Sequence, residues 1–379
     1  MIKVLQVVGT MNLGGAEVML MDILRNKPAG IHFDFLVNNP LDDLYREGRF
    51  DEEIKSYGCK IRHIATQSEI GPIRYIRFFN AIYKELQPEV VHIHLNSKCG
   101  LIAMAAHTAG CKRIIAHCHA DIRFRGTIKN RILGELELFI QKLLISRYAT
   151  DYWGCSSEAI KRLFFPWIRN YSVVINNAIN LKAYQSVTVK EVNSIRSSYN
   201  LPASTIILGN VGRIVPHKNI AFVVDVMSIL QSKGNDVAFV IVGRNSSPEY
   251  FKRVMTRARE KGIPSNRLLI LGERSDVPTI MHSFDVFVGP ALKEGFGLVA
   301  VEAQAASIPC ILSEGFPKTV DMGVGLCKFI DSFNPEIWAN AIIDSFNLAK
   351  VPESVVHSAI ESHGFDAREN ALFVCALYQ

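Results

Sequence analysis

The stretch VFVGPALKEGFGLVAVEAQAA, residues 286–306, contains two patterns in succession. An apolar run over residues 286–289 is followed by a turn and then by an apolar-rich helical pattern that extends through Ala306. A short apolar run bounded by turn residues is typical of a buried strand, and the longer pattern is typical of a helix. The stretch therefore predicts a βα unit, the building block of a parallel sheet.

The same alternation occurs along the rest of the chain. Amphipathic patterns such as residues 16–25 and 72–86 predict helices between short apolar runs. The other predicted strands are residues 2–8, 33–37, 90–94, 113–117, 151–155, 172–175, 206–211, 237–242, 268–271 and 310–312. Repeated βα units predict an α/β fold of two Rossmann-like domains, each a doubly wound parallel sheet with helices on both faces. Ligands are expected in a cleft at the carboxyl ends of the strands.

A polar segment over residues 176–198, which lacks a strong strand signal, marks the junction between the two series of strands. We predict an N-terminal domain over residues 1–178 and a C-terminal domain over residues 179–360. Residues 361–379 are predicted to contain a last amphipathic helix that packs back toward the N-terminal domain.

Composition narrows the class of protein. Of the 379 residues, 49% are hydrophobic and 21% are charged, which is typical of a globular, enzyme-like chain. Eight cysteines without paired spacing predict reduced, buried thiols of a cytoplasmic protein. The start does not read as a secretory signal, and no run of about eighteen apolar residues predicts a membrane span. A net charge of +6 fits an anionic ligand or an anionic membrane surface.

Two loops that follow predicted strands carry residues suited to phosphate. Gly14 and Gly15 precede a helix, where backbone N–H groups can approach an anion, although their spacing matches neither a dinucleotide fingerprint nor a Walker loop. Arg213 and Lys218 follow the first strand of the second domain and suit a pyrophosphate. The alternatives are a tight turn without a ligand for the first loop and a solvated basic turn for the second.

Two glutamates flank the glycines of the opening stretch. Glu294 and Glu302 are eight positions apart, which is about 12 Å along a helix, so they cannot form a catalytic pair on one atom. Gly295 and Gly297 would expose the N-terminus of the helix between them to a phosphate. This layout fits a nucleotide sugar, in which sugar, pyrophosphate and ribose follow one another. The alternative is a capping glutamate and a glutamate on the helix surface.

In order and spacing, these motifs resemble those of the family 4 glycosyltransferases, which are retaining enzymes of GT-B fold. The resemblance covers essentially the whole chain and points to the branch that builds capsule, exopolysaccharide and O-antigen chains. The matching segments are residues 14–17, 113–119, 174–180 and 212–219, together with the Glu294 and Glu302 pair. The chain departs from the family pattern at Ala178 and Asn180 of the junction and at Gln304.

The resemblance implies a role for each matching position. Glu294 would hold hydroxyls of the donor sugar, Glu302 would bind the ribose, and His119 would face the sugar from the first domain. The N-terminal domain would be the acceptor side, and the C-terminal domain would bind the donor. The implied catalytic residues are His119, Arg213, Lys218 and Glu294. The implied donor-binding residues are Gly14, Gly15, Gly212, Arg274, Gly295, Phe296, Gly297, Leu298 and Glu302.

The implied reaction uses no metal ion and no other cofactor. No residue offers itself clearly as a carboxylate nucleophile, and no Asp-x-Asp occurs to hold a metal-bound diphosphate, so Arg213 and Lys218 would neutralise it instead. We expect retaining transfer of a hexose or N-acetylhexosamine from a nucleotide-diphosphate sugar, with UDP as the expected nucleotide, to a lipid-linked surface-polysaccharide acceptor. The alternatives are a nucleotide-sugar epimerase of the same fold and a non-catalytic scaffold of a polysaccharide-assembly complex. Nucleic acid is not an expected partner, because no recognised binding module occurs.

Two histidine pairs have the periodicity of a strand, so each pair faces one side of a sheet. They are His92 with His94, and His117 with His119. No further cysteine or histidine completes a tetrahedral metal set, so the pairs fit histidines of the core or the cleft better than a metal site.

A basic segment precedes an apolar helical pattern over residues 132–145, and Trp167 follows it. This surface could touch an anionic membrane at its inner face, where a lipid-linked acceptor would sit. The alternative is an ordinary core helix behind a solvated basic turn. The basic residues of the segment are Arg123, Arg125, Lys129 and Arg131.

Overall fold

The computed structural model describes residues 1–12, 14–44, 47–119, 122, 124 and 126–379. The chain divides into two compact units, one formed by Met1–Ala178 with Ala367–Gln379 and the other by Ile179–Asp366. Each unit is built around one parallel sheet. Within the described residues, no helix combines the length and the apolar character that crossing a membrane requires.

The first unit contains a seven-stranded sheet. Its strands are β1 (Ile2–Val8), β2 (Ile31–Asn39), β3 (Ile61–Ala65), β4 (Val90–Ile93), β5 (Arg113–Cys118), β6 (Asp151–Gly154) and β7 (Ser172–Val174). They lie in the order β3-β2-β1-β4-β5-β6-β7, and every pair is parallel. The order reverses between β1 and β4, so the loops after these strands border the switch point at which such sheets bind ligands.

The second unit contains a six-stranded sheet of the same kind. Its strands are β8 (Ile206–Val211), β9 (Val237–Val242), β10 (Leu268–Gly272), β11 (Val286–Gly289), β12 (Cys310–Ser313) and β13 (Cys327–Ile330). They lie in the order β10-β9-β8-β11-β12-β13, again with every pair parallel. Here the switch point lies between β8 and β11.

Helices connect the strands throughout both units. In the first unit they are α1 (Gly15–Asn26), α2 (Asp51–Ser56), α3 (Gln67–Ile70), α4 (Pro72–Leu86), α5 (Cys99–Thr108), α6 (Ile128–Tyr148), α7 (Ser157–Leu163) and α8 (Pro166–Arg169). In the second unit they are α9 (Leu181–Gln185), α10 (Val189–Ser198), α11 (Ile220–Ser232), α12 (Pro248–Glu260), α13 (Val277–His282), α14 (Leu298–Ala305), α15 (Pro335–Ser345) and α16 (Glu353–Ser362). The last helix, α17 (Ala367–Leu377), belongs to the first unit and packs on α1.

Alternate residues of β1 enter different hydrophobic cores. Leu5 and Val7 lie in a cluster with residues of α4 and α5, whereas Val4 and Val8 lie in a cluster with residues of α1 and α17. A strand that is buried on both faces has an almost continuous apolar sequence, which is why β1 is evident from its sequence. The prediction of an α/β fold with two Rossmann-like, doubly wound parallel sheets is confirmed.

Two strands differ from the sequence prediction. Each predicted strand is present, but β3 and β13, which form edges of their sheets, are not predicted. β3 contains Arg62 and His63, and β13 contains Lys328, so neither has an uninterrupted apolar run. Charged residues on an edge strand discourage pairing with other chains. Because these residues interrupt the apolar runs, the sequence pattern does not predict the two strands.

Candidate functional site

The loops after β8 and β11 meet at the switch point of the second sheet. Lys218 lies in the first loop and Glu294 in the second, and their side chains form an ion pair through Nζ and Oε1. Only 16% of the Lys218 side chain and 10% of the Glu294 side chain are exposed. The backbone N–H of Leu292 donates to the carbonyl oxygen of His217 at 2.8 Å. The fold thus brings together two predicted catalytic residues that are 76 positions apart in sequence.

Gly212 allows the stem of Lys218 to lie close to the backbone. Its φ is +149°, and a Cβ at this position would lie 3.3 Å from both Cε and Nζ of Lys218. A Cβ on Gly243 would lie 2.2 Å from the carbonyl oxygen of Gly212. Glycine at both positions therefore keeps the turn after β8 narrow and lets the lysine cross directly above it.

The loop after β12 supports the loop that carries Glu294. The backbone N–H of Glu294 donates to the carbonyl oxygen of Gly315 at 2.8 Å. The hydroxyl of Ser313 donates to the carbonyl oxygen of Ala291, and a Cβ on Gly315 would lie 2.1 Å from that same oxygen. The backbone of Glu294 is therefore held by the neighbouring loop, and its carboxylate is held by Lys218.

Gly297 begins α14 in a left-handed backbone conformation. Its φ is +83°, and a Cβ there would lie 2.6 Å from Cδ1 of Phe316. As the N-terminal cap it has no side chain that could accept from the first N–H groups of the helix, which begins at Leu298. Those donors and the helix dipole favour an anion such as a phosphate, three residues beyond Glu294.

Gly295 and Phe296 lie in different surroundings. A Cβ on Gly295 would meet no atom within 4 Å, so packing tolerates a side chain at this position. The ring of Phe296 packs against Phe365 with ring centroids 5.1 Å apart. A donor-binding role for either residue would therefore rest on its backbone N–H group.

The other predicted donor residues of the second unit have three different environments. Glu302 lies on α14; burial, and then the charge of Glu302, raise the pKa of Tyr184 well above its usual value. Arg274 donates two hydrogen bonds to Asp276, at 2.8 and 2.6 Å. Arg213 is exposed, and no side chain in the described part of the chain pairs with its guanidinium. Arg213 is thus available to a ligand, whereas Arg274 already has a partner.

Gly14 and Gly15 lie at the start of α1 in the first unit. A Cβ on Gly15 would meet no atom within 4 Å, and the atoms nearest to a Cβ on Gly14 would belong to the flexible carboxylate end of Glu17, at 2.1 Å. Packing within the first unit therefore does not require glycine at these positions. Leu13, which precedes them in the motif, lies outside the described residues.

The four histidines of the two predicted pairs form one cluster in the first unit. His92 and His94 come from β4 and its end, and His117 and His119 from β5 and its end. Nδ1 of His94 lies 2.7 Å from Nε2 of His119, and Nε2 of His92 lies 3.1 Å from Nδ1 of His117. Burial lowers the pKa of all four, that of His119 to about 4, so they are neutral near pH 7.

Gln6 and Tyr378, which the sequence analysis does not assign to the site, extend this cluster. Oε1 of Gln6 lies 2.8 Å from Nε2 of His94. The hydroxyl of Tyr378 lies 2.7 Å from Nδ1 of His92 and 3.1 Å from Nε2 of Gln6. The sequence does contain one signal for Gln6, because it is the one amide side chain within the apolar run of β1. No local sequence pattern indicates a role for Tyr378. Its side chain reaches His92 because α17 packs on α1.

Three of these histidines have a spacing that a metal ion could use. His92, His94 and His117 each offer a nitrogen, and these nitrogens lie within 4.8 Å of one another. Both ring nitrogens of His92 and both of His94 are already engaged in hydrogen bonds. A metal ion would have to replace those bonds, so the cluster fits a hydrogen-bond network better than a metal centre.

Helix α6 carries an exposed apolar surface. Its opposite side packs into the first unit through Leu138, Gln141 and Ile145. Beside it, the rings of Phe165 and the exposed Trp167 stack with centroids 4.6 Å apart. The exposed apolar residues of the helix are Ile128, Ile132, Leu133, Leu136, Phe139, Ile140 and Leu143. We call these seven residues, with Phe165 and Trp167, the α6 face.

Basic side chains border the α6 face. Burial, and then the charges of Arg162 and Arg169, lower the pKa of Lys142, which indicates a locally positive surface. At the start of α6, Lys129 and Arg131 are exposed. The other two members of the predicted basic segment, Arg123 and Arg125, lie outside the described residues.

Comparison with known proteins identifies the family. Residues 191–361 match the family described as glycosyl transferases group 1. The whole chain is 30% identical over 376 residues to the putative glycosyltransferase EpsF of Bacillus subtilis (strain 168), and the match covers 97% of this chain and 94% of that relative. The chain belongs to the group 1 glycosyltransferases. The resemblance to family 4 glycosyltransferases, inferred from the motifs, is confirmed.

Other relatives of this glycosyltransferase belong to the predicted branch. The chain is 24% identical over 312 residues to the capsular polysaccharide biosynthesis glycosyltransferase CapH of Staphylococcus aureus, covering 80% of this chain and 79% of CapH. It is 29% identical over 257 residues to the UDP-Gal:alpha-D-GlcNAc-diphosphoundecaprenol alpha-1,3-galactosyltransferase of Escherichia coli, covering 64% and 63%. The crystal structure of Anabaena Alr3699/HepE in complex with UDP-glucose covers 100% of this chain and 99% of that one, with a TM-score of 0.76 at 19% identity. This likeness shows a shared GT-B fold.

Proposed function

We propose that this glycosyltransferase moves a hexose or an N-acetylhexosamine, with retention, from a nucleotide-diphosphate sugar to a surface-polysaccharide acceptor. The observation that carries the proposal is the pair of Lys218 and Glu294 at the switch point, directly before the helix that begins after Gly297. A cation for a diphosphate, a carboxylate for sugar hydroxyls and a bare helix N-terminus are the three groups that a nucleotide-sugar donor requires.

Lys218 and Glu294 each have a separate task in this proposal. A diphosphate would attract Lys218, and hydroxyls of the donor sugar would donate to the carboxylate of Glu294. The exposed Arg213 supplies a second cation for the leaving diphosphate. Until a donor binds, the ion pair of Lys218 and Glu294 keeps two partly buried charges from being left without a partner.

Further contacts complete the proposed donor site. Glu302 would bind the ribose, and the turn of Gly212 would let the phosphates approach the backbone. From the first unit, His119 would face the sugar. The remaining proposed contacts are made by Gly14, Gly15, Arg274, Gly295, Phe296 and Leu298.

The proposed reaction is a same-face displacement. The bond between the anomeric carbon and the phosphate oxygen breaks, the acceptor oxygen bonds to the same face of that carbon, and the acceptor's proton passes to the departing phosphate oxygen. Positioning and stabilisation of the leaving diphosphate supply the catalysis. Arg213 and Lys218 take the place that a metal ion holds in other diphosphate sites, so we propose a metal-independent enzyme without a cofactor.

The relatives support UDP as the nucleotide and a lipid-linked glycan as the acceptor. The Escherichia coli relative is named for transfer from UDP-Gal to a diphosphoundecaprenol-linked sugar. The Anabaena structure contains UDP-glucose. We propose that this chain uses a UDP-sugar and a lipid-linked acceptor, and that it works in the cytoplasm at the inner face of a membrane.

The α6 face supports such peripheral contact with a membrane. It combines an apolar stripe, an exposed tryptophan and a basic border, which is the composition of surfaces that bind anionic lipid. Ile132, Leu136, Ile140 and Leu143 recur at helical spacing, so one side of α6 could enter the lipid headgroup region while the other remains packed in the protein.

Donor titration and turnover test this function. The purified chain is titrated with UDP, GDP and a panel of nucleotide sugars, and hydrolysis or transfer is followed with a lipid-linked acceptor. We expect binding of at least one UDP-sugar and loss of turnover in Glu294→Ala. The matched control is Glu314→Ala, which removes an exposed glutamate paired with Lys318 in the same unit. The proposal is lost if no nucleotide sugar binds and Glu294→Ala changes nothing in cells.

The same assay distinguishes the alternatives. An epimerase converts its donor without any acceptor, so products of the donor alone would reveal it. A non-catalytic scaffold would support polysaccharide assembly equally well with Arg213→Ala and Lys218→Ala. Transfer that needs an acceptor and is lost in both variants supports the glycosyltransferase.

A further inference from the structure

Six polar side chains of the first unit, five of them buried and that of His119 partly buried, form one continuous hydrogen-bond chain. It runs from His119 through His94 to Gln6, and from Gln6 through Tyr378 and His92 to His117. Its links measure 2.7, 2.8, 3.1, 2.7 and 3.1 Å in that order. Because the histidines are neutral, each ring carries one hydrogen, and each link needs one donor and one acceptor.

The amide nitrogen of Gln6 fixes the direction of the hydrogen bonds that lead through Tyr378 and His92 to His117. Its Nε2 donates to the hydroxyl oxygen of Tyr378, so the hydroxyl hydrogen is left to donate to Nδ1 of His92. A neutral His92 that accepts at Nδ1 carries its hydrogen on Nε2. That hydrogen is donated to Nδ1 of His117.

The amide oxygen of Gln6 fixes the tautomers of the two remaining histidines, His94 and His119. Oε1 of Gln6 can only accept, so Nε2 of His94 donates to it. A neutral His94 then has a lone pair on Nδ1, which accepts from Nε2–H of His119. The hydrogen of His119 is thereby used, and its Nδ1 bears a lone pair.

We infer that Gln6 and Tyr378 act as positioning residues that hold His119 in the Nε2–H tautomer, so that its Nδ1 is presented to a ligand as a hydrogen-bond acceptor. Nδ1 of His119 is buried and has no hydrogen-bond partner within the described part of the chain. The backbone N–H of His119 donates to Oδ1 of Asn96 at 2.7 Å, which fixes the residue from its other side. An acceptor nitrogen selects a ligand hydroxyl and repels a phosphate or carbonyl oxygen.

The tautomer of His119 and the identity of the ligand that it meets have different grounds. The tautomer of His119 follows from this unit's own side chains. That the hydroxyl belongs to the donor sugar rests on the proposed glycosyl transfer. Three measurements keep the tautomer of His119 and the identity of its ligand distinguishable.

The first measurement reads the tautomers directly. The full chain is labelled with ¹⁵N-histidine, and two-bond ¹H–¹⁵N correlations are recorded at pH 7, with signals assigned by the loss of one set in His119→Asn and of another in His94→Asn. We expect neutral Nε2–H rings at both positions. A hydrogen on Nδ1 of His119, a charged ring, or a stoichiometric bound metal that shifts these signals overturns the inference, whether or not the chain transfers a sugar.

The second measurement tests the distant residue. Tyr378→Phe keeps the ring but removes the hydroxyl, so the amide of Gln6 is no longer held in one orientation. We expect two populated tautomers of His119 and a fall in kcat/KM for the donor of roughly threefold to tenfold, the size of one lost hydrogen bond. Tyr75→Phe is the matched control. It removes a buried hydroxyl that donates to Asn38, and neither residue belongs to the hydrogen-bond chain of the histidines.

Donor analogues connect the tautomer with the ligand. On whichever donor is turned over, each sugar hydroxyl is replaced in turn by hydrogen and by fluorine, which accepts but cannot donate. We expect one position at which both replacements reduce kcat/KM equally, and at which His119→Ala abolishes the difference from the parent donor. Full activity of the fluorine analogue at a position where the hydrogen analogue fails would mean that His119 donates, and would refute the inference. Equal effects of Tyr378→Phe and Tyr75→Phe on tautomer and turnover would refute it as well.

Discussion

The contact between Lys218 and Glu294 joins stability and function at the scale of single residues. Both side chains are mostly buried, so neither charge is fully hydrated when its partner is removed. Each nevertheless has a proposed ligand of its own, a diphosphate for the lysine and sugar hydroxyls for the glutamate. The pair therefore holds the two binding groups in place and can be opened by one ligand that replaces both contacts.

This pair predicts non-additive effects on stability. Lys218→Met and Glu294→Gln should each lower the free energy of unfolding by roughly 1–3 kcal/mol, because each leaves a partly buried group unpaired. The double variant should lose less than the sum, since both charges are then absent. Urea unfolding of the four proteins measures this. The exposed pair of Lys318 and Glu314 is the control, for which the coupling should be about 0–1 kcal/mol. Simple additivity at Lys218 and Glu294 would contradict the prediction.

The glycines before α14 predict a contrast between neighbours. Gly297→Ala should destabilise the protein by at least about 1–2 kcal/mol, because alanine at φ +83° is strained and its Cβ would lie 2.6 Å from Phe316. Gly295→Ala should leave stability unchanged, since a Cβ there meets no atom within 4 Å. Thermal unfolding of both variants measures the difference. Equal losses would show that the left-handed turn does not govern this loop.

At the scale of elements, α6 differs from the other long helices because it is apolar on two opposite sides. Its inner side needs Leu138, Gln141 and Ile145 for the core. Among the described residues of the first unit, no packing contact explains why its outer side carries Leu136 and Ile140, both of which are exposed. Charged residues at these positions would be expected on a helix that faces only water.

The α6 face predicts binding to anionic lipid. The double variant Leu136→Glu with Ile140→Glu should reduce co-sedimentation with vesicles that contain anionic lipid, while it leaves UDP-sugar hydrolysis intact. The control variant Leu372→Glu with Phe373→Glu changes two exposed apolar residues of α17 and should bind as the original protein does. Binding should weaken as salt is raised and be small with zwitterionic vesicles. Equal binding of all three proteins, or no binding at all, would remove this surface from the proposal.

At the scale of the whole molecule, the chain returns to its first unit at the end. α17 contributes Ala371, Val374 and Cys375 to the core that also contains Phe33 and Trp153. The core of the first unit is therefore incomplete without residues 367–379. The second unit is formed by one continuous segment, residues 179–366.

This arrangement predicts that the two units respond differently to truncation. Removal of residues 367–379 should expose the core of the first unit and make it sensitive to protease, because the buried side of α17 and Tyr378 are lost together. The second unit should remain folded and should still bind a UDP-sugar if the donor site lies there as proposed. Limited proteolysis followed by mass spectrometry and nucleotide titration would measure both. Loss of nucleotide binding with an intact second unit would contradict the proposed location of the site.

The sequence by itself determined the features that depend on local patterns. Continuous apolar runs predict strands that are buried on both faces, and the glycines with Glu294 and Glu302 indicate the family and the class of ligand. β3 and β13 were not predicted, because charged residues such as Arg62 and Lys328 interrupt their apolar runs. The sequence pattern also does not predict that a side chain fits at Gly295 but not at Gly297. This difference depends on whether Phe316 lies against the turn.

Only the tertiary structure decided which distant residues act together. Lys218 and Glu294 come together because β8 and β11 are neighbours in the sheet although many residues separate them in the chain. Tyr378 reaches His92 because α17 packs on α1, and the direction of hydrogen bonding from Gln6 to His119 follows from that contact. Periodicity records which side of an element is buried but not what it is buried against. Partners across a sheet are therefore fixed by folding and not by pattern.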